Sequence, residues 1–182
     1  MQVQKGNILV SYPFLEDDYF FRSVISLLDH SEEGSFGLII NKKMPNKIGE
    51  VMPLFSNLEN YIYVGGPVET SNLFFLHPYK DLKDTIQVSD GLYWNGDIYE
   101  LRDMFDLEFA EPSQVRFYLG YSGWSEGQLE DEIKEKSWLI GENNLSIVFD
   151  NSEDDLIWRK AMETLGKDFE NLAHYPIDPH MN

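Results

Sequence analysis

The sequence predicts an α+β domain built on a mixed, strongly curved β-sheet, and three observations carry that prediction. About eight short runs rich in Val, Ile, Tyr and Phe end at Gly, Pro or Asp-Gly, as strands do. Roughly three or four other stretches repeat apolar residues at helical spacing behind a capping side chain. The two kinds do not alternate strictly, which argues against a doubly wound parallel sheet. A chain of 182 residues, 42% hydrophobic and 14% aromatic, can bury one sizeable core and is short for two, so a single domain over residues 1–182 is expected.

Ile8 to Val10 forms the first strand, between Gly6 and Pro13. Asp17 or Asp18 can cap one helical turn over Glu16 to Phe21. Val24 to Leu28 and Phe36 to Ile40 follow; Phe20, Phe21, Val24, Ile25 and Leu28 also fit a helical stripe, but the β-branched residues and Gly34 favour a hairpin. A short helix is expected at Ile48 to Met52, then strands at Tyr61 to Val64 and Leu73 to Leu76, joined through Gly65-Gly66-Pro67. Thr85 to Val88 and Leu92 to Trp94 flank the turn pair Asp90-Gly91. Asp97 caps a helix carrying Ile98, Leu101, Met104 and Phe105, with Pro112 at its end.

The stretch from Val115 to Ile140 carries the most information. Val115, Phe117 and Leu119 alternate as a strand with one buried face, and Gly120 and Gly123 allow a sharp turn. Ser125 and Gln128 have the spacing of a capping box, which starts a helix near Glu126. Leu129 and Ile133 give that helix a buried stripe, with Trp138 over its end, while Glu130 and Glu132 can pair with Lys134 and Lys136. Leu145 to Phe149 reads as a strand, and Ser152 with Asp155 caps a helix bearing Leu156, Ile157, Ala161, Met162 and Leu165 that stops at Gly166. An irregular tail is expected from His174 to Asn182.

Composition excludes several functions. With no cysteine, disulfides, thiolate metal sites, iron–sulfur clusters and a cysteine nucleophile are ruled out. The 14 basic and 32 acidic residues leave a net charge of −18, which opposes direct binding to nucleic acid or to an anionic membrane. The densest basic groups are Lys42-Lys43, Arg159-Lys160 and the spaced Lys134 and Lys136, too sparse along the chain to make a patch. The start, MQVQKGNILVSYPF, is too short and broken for a signal peptide or a membrane span, so a cytoplasmic protein is expected.

Four stretches, GNILVSYPFLEDDYFFRSVISLLDHSEEGSFGLIIN (6–41), VGGPVETSNLFFLH (64–77), LGYSGWSEGQLEDEI with Trp138 (119–138) and LIWRKAMETLG (156–166), together resemble the YqgE/AlgH family of bacterial proteins. Lys42 to Tyr63 and the YWNG string near residue 94 match the family pattern less well. The resemblance implies a single domain whose mixed sheet curls toward a pseudo-barrel with flanking helices. It implies no agreed reaction, and the family's label as a transcriptional regulator comes from genetic association with alginate production in one branch. Redox roles ascribed to cysteines in some members cannot transfer to a chain without cysteine.

Candidate site residues each have a plainer structural reading. Gly120-Tyr121-Ser122-Gly123-Trp124 approaches the nucleophile elbow G-x-S-x-G, but Trp124 stands where the second glycine is needed, so Ser122 is expected to bond backbone. Gln128 is accounted for by capping. His30 and His77 lie beside strand ends, yet no H-x-H or H-x-x-x-H spacing supports a metal site. Gly66 belongs to a turn in which Pro67 removes an anion-binding donor, and Asn41 reads as a turn residue or loop clamp. No metal and no cofactor is expected.

The leading expectation is a non-enzymatic binding or regulatory module with a groove beside Tyr121, Trp124 and Trp138 for a small ligand or a protein segment. In that case Trp124 is partly exposed. The alternative is an enzyme using His30 or His77 with a nearby carboxylate in an open cleft. A third expectation, a structural partner for another protein, requires a contiguous exposed apolar patch. Either a monomer or a homodimer is compatible with the sequence.

Overall fold

A computed structural model describes residues 2–175. In chain order the strands are β1 (Ile8–Ser11), β2 (Val24–Ser31), β3 (Gly34–Ile39), β4 (Lys43–Lys47), β5 (Tyr61–Val64), β6 (Val68–His77), β7 (Ile86–Ser89), β8 (Leu92–Trp94), β9 (Arg116–Ser125) and β10 (Trp138–Gly141). The helices are α1 (Ile48–Val51), α2 (Ile98–Asp106), α3 (Gln128–Lys134), α4 (Leu145–Val148), α5 (Asp154–Thr164) and α6 (Lys167–Ala173). Among the described residues, no helix is long and apolar enough to cross a membrane.

One sheet runs in the order β10-β1-β2-β3-β9-β6-β8-β7, with β5 added beside β9 and β4 beside β5. The β5–β9 pairing is parallel and the others are antiparallel. This makes the fold mixed α+β. The sheet curls without closing: no ladder joins β10 to β7, but Asn143, just past β10, hydrogen-bonds Ser89 at the end of β7.

Alternation along the first strands sends side chains into two layers. Ile8, Val10, Val24, Leu28, Leu38 and Ile40 face α4, α5 and α6, whose Ile147, Ile157, Trp158 and Met162 fill the concave side. Leu9, Ile25, Leu27 and Ile39 face the opposite way, toward Leu129 of α3 and the indoles Trp124 and Trp138. A third cluster, including Ile62, Phe75, Leu101 and Phe117, packs α1 and α2 against β5, β6 and β9. Each fully buried aliphatic or aromatic side chain contributes about 1.5–3 kcal/mol. Trp158 also donates its indole N–H to the Ser11 carbonyl at 3.0 Å, which satisfies the one polar group of its side chain.

The β2–β3 hairpin forms as expected, but several local expectations are corrected. Gly120 and Gly123 do not end a strand, because β9 runs through them to Ser125. Gly120 has φ +72° and marks the point where the neighbour on one side changes from β5 to β3. Leu145 to Phe149 is not a strand: the Asn144 side chain accepts from the Ser146 N–H at 3.0 Å and starts α4, a run too short for periodicity to decide. Ser152 and Asp155 do not cap α5, since Asp155 pairs with Arg22 and Arg159. The helix before Pro112 stops at Asp106, and α6 follows directly after Gly166. The expected tail lies outside the described residues from Pro176 onward.

Candidate binding site

At the mouth of the curled sheet lies an open groove of about 580 Å³. Its walls are Phe36 of β3, Phe74 of β6, Trp94 of β8 and Tyr121 of β9, all part-buried. The rings meet in a closed circuit, Phe36 to Trp94 at 5.1 Å, Trp94 to Phe74 at 6.2 Å, Phe74 to Tyr121 at 5.9 Å and Tyr121 to Phe36 at 5.8 Å. Ring edges and faces are both presented, as edge-to-face packing requires.

Local backbone irregularities put these side chains there. Tyr118 and Tyr121 both face the concave cluster although they stand three positions apart. Strict alternation would send them to opposite faces, so the positive φ of Gly120 resets the phase. The β2–β3 register shifts between Leu27 and Asp29, so that Asp29, directly after buried Leu28, stands opposite Phe36 and lines the groove with it. A second shift between Val68 and Leu73 goes with a positive φ at Glu69.

The groove's rim is acidic. Asp29, Glu33 and Glu69 line it, and no lysine or arginine does. Asp29 and Glu33 pair with no cation among the described residues, and Glu69 accepts only from Asn72, at 2.5 Å.

Among the expected site residues, only Tyr121 and Trp124 border this groove. Trp124 is 7% exposed, contrary to the partial exposure expected of a groove wall. Its indole N–H donates to Glu132 Oε2 at 2.8 Å, and Trp138 donates to the same oxygen at 2.7 Å. Glu132 is therefore an acceptor for two buried indoles and not the partner of Lys136. Lys134 pairs with Asp131 at 2.8 Å instead of Glu130. Gln128 supports the cluster, donating to Glu132 Oε1 at 2.9 Å and accepting from the Ser125 N–H at 3.0 Å.

The other candidates lie apart, in structural roles. Ser122 is buried and donates to the Gly65 carbonyl at 3.2 Å. Gly66 presses against β9 so closely that a Cβ there would lie 2.0 Å from the Tyr121 carbonyl carbon. Asn41 is a buried clamp: its Oδ1 accepts from Val24 N–H at 2.8 Å, and its amide donates to the Arg22 and Asp154 carbonyls. His77 is fully buried; Nδ1 accepts from Tyr79 N–H at 3.2 Å and Nε2 donates to the Asn95 carbonyl at 2.8 Å. Burial holds its imidazole pKa below the ordinary value, against the raising effect of the Asn95 bond.

His30 hydrogen-bonds Ser35 at 2.7 Å and stands 3.6 Å from Glu130, beyond hydrogen-bond length. Neither histidine thus joins a carboxylate in a cleft by a hydrogen bond. Among the described residues no three His, Asp or Glu side chains converge as a metal site.

Comparison with known proteins fixes the lineage. The model of the AlgH-like family matches residues 8–170. The chain belongs to the AlgH-like family. A UPF0301 protein of Bacteroides thetaiotaomicron is 41% identical over 179 residues, covering 98% of this chain and 91% of that one. Another from Cytophaga hutchinsonii is 38% identical, covering 98% of each. The solution structure of the Pseudomonas aeruginosa AlgH protein aligns with TM-score 0.72 and 27% identity over 97% of this chain and 98% of that one. A crystal structure of the Corynebacterium diphtheriae protein DIP2367 gives TM-score 0.81 over 96% and 94% of the two chains; at 21% identity it bears on the fold alone. None of these names states a reaction, so within the AlgH-like fold it is the groove's own chemistry that speaks to function.

Glu33, Glu69, Phe36, Phe74 and Trp94 escaped the sequence reading as site residues, and Asp29 entered it only as a carboxylate that a histidine metal site would need. Phe36 and Phe74 were visible only as strand residues, and no local pattern ties either to Trp94. Only the sheet order brings them together.

Proposed function

We propose that this protein is a cytoplasmic, non-enzymatic binding module whose groove receives an extended, lysine- or arginine-bearing segment of a partner protein. The observation that carries the reading is the aromatic circuit Phe36–Trp94–Phe74–Tyr121 under a rim of carboxylates free of cations. A cation over an aromatic face gains about 0.5–1 kcal/mol at an exposed site. A neighbouring carboxylate adds up to about 1 kcal/mol. The alkyl stem of lysine or arginine meanwhile covers ring surface. The net charge of −18 draws such a segment in and raises its association rate. It also supports a freely diffusing protein.

The test is calorimetric titration with hexalysine and hexaglutamate. Hexalysine is expected to bind with Kd on the order of 10–100 μM, and hexaglutamate not at all. Neutralising the rim (Asp29→Asn, Glu33→Gln, Glu69→Gln) should weaken binding about tenfold. Removing the same charge elsewhere (Glu126→Gln, Glu135→Gln, Glu163→Gln) should leave it nearly unchanged. Equal losses in the two triple variants would reduce the effect to bulk charge and defeat the reading.

A further inference from the structure

We infer that the protein carries a second site, for a small oxyanion, where β9 begins beside β4 and β5. Its centre is Arg116, only 4% exposed. The guanidinium donates to the carbonyls of Ile40 at 3.0 Å and Asp150 at 2.6 Å and to Asn151 Oδ1 at 3.1 Å. It also lies 4.4 Å from the centre of the Tyr63 ring. All of these partners are neutral. A buried guanidinium keeps its proton, and although these neutral acceptors offset part of its desolvation, its charge is left without a counter-ion.

Among the described residues no carboxylate oxygen lies within ion-pair distance of Arg116, and the nearby acids are engaged elsewhere. Asp150 holds Lys160 at 2.6 Å and accepts from the Ser152 N–H. Asp154 accepts from the Lys43 N–H at 3.3 Å, and Glu59 is held by Lys47. In front of Arg116 opens a cavity of about 360 Å³, lined also by Lys43, Asn60, Tyr61, Ser113 and Asn151, with Glu59 at its edge. The Lys43 ammonium sits 5.4 Å from the Tyr61 ring centre and donates to the Asn151 carbonyl at 3.4 Å. It too pairs with no carboxylate among the described residues.

Two cations with neutral partners thus face one cavity in a protein where acidic residues outnumber basic ones by 32 to 14. Screening beyond about 8 Å at physiological salt lets this corner act on a small anion despite the overall charge. The wider negative field still repels a long polyanion. The ligand class is a small molecule bearing a carboxylate or phosphate group, with Arg116, its guanidinium held by neutral acceptors, supplying a fixed positive charge and Lys43 a mobile one.

The test is an NMR titration of the isotope-labelled protein with inorganic phosphate and, separately, with succinate, each against sodium chloride at equal ionic strength. Saturable shifts confined to Lys43, Ser113, Arg116 and Asn151 are expected with at least one probe. A stronger response to phosphate assigns a phosphate-bearing ligand, and a stronger response to succinate assigns a carboxylate. Because replacing buried Arg116 endangers the fold, Lys43→Gln is the informative variant, and it should weaken binding about tenfold while Lys43→Arg retains it. Shifts no larger than those with chloride, or undiminished binding by Lys43→Gln, would overturn the inference.

Discussion

Glu132 shows how one side chain settles several others. Its Oε2 accepts both the Trp124 and Trp138 indole N–H groups, and its Oε1 accepts from Gln128. Glu132→Ala leaves two buried donors without their acceptor, and urea unfolding should show a loss of about 2–4 kcal/mol. Glu132→Gln keeps an acceptor oxygen and should lose less. Equal stability of all three proteins would mean the indoles find other partners. His77 makes a pH-dependent prediction. Its folded pKa lies below the ordinary value of 6.5 because burial disfavours the charged ring. The unfolded chain therefore gains a proton first as the medium acidifies. This contribution to stability is intact above about pH 6.5 and is lost as the pH falls from there through the folded value. An NMR titration should place the His77 midpoint below 6.5, and a midpoint at or above it would contradict this account. Sequence alone placed both residues in sensible roles only in part. Trp138 over the end of α3 was legible, but the capping box was not borne out: α3 starts at Gln128 behind Gly127, so Gln128 is a first-turn residue that accepts from the Ser125 N–H, not the third-position partner of a Ser125 cap.

At the scale of elements, the contact between the Gly65-Gly66 segment and β9 controls where Tyr121 points. A Cβ at Gly66 would sit 2.0 Å from backbone carbon of Tyr121, and one at Gly120 would sit 2.4 Å from the Gly66 carbonyl oxygen. Gly66→Ala must push two backbones apart, at a cost of about 3 kcal/mol or more. Thermal unfolding should fall accordingly, and hexalysine affinity should fall with it as Tyr121 moves. An unchanged melting temperature would show that the segment can shift freely. Most elements were legible because local pattern determines them: the β2–β3 hairpin by β-branched runs around Gly34, and α2 by the Asp97 cap. The failures came where local pattern is weak or misleading, as at Gly120 and Gly123, which read as a turn but lie within β9. The four residues of α4 and the strand β4, interrupted by Pro45, carry too little periodicity to declare themselves.

For the whole molecule, curvature assembles the two candidate sites. The same bending that brings Ser89 to Asn143 gathers β3, β6, β8 and β9 around the aromatic groove, and the turn of the chain sets Arg116 beside Lys43. Charge could be counted in the sequence, but its distribution could not. An acidic rim and a separate basic corner emerge only when residues distant along the chain meet. The groove's chemistry was therefore legible at one residue, Tyr121, while Trp124, the most conspicuous neighbour, turned into the opposite core layer. The most direct measurement is a set of intermolecular NOEs between labelled protein and bound hexalysine. Contacts from lysine ε-methylenes to the rings of Trp94 and Tyr121 are predicted. A saturable complex whose contacts lie away from those rings would contradict the proposed role of the groove.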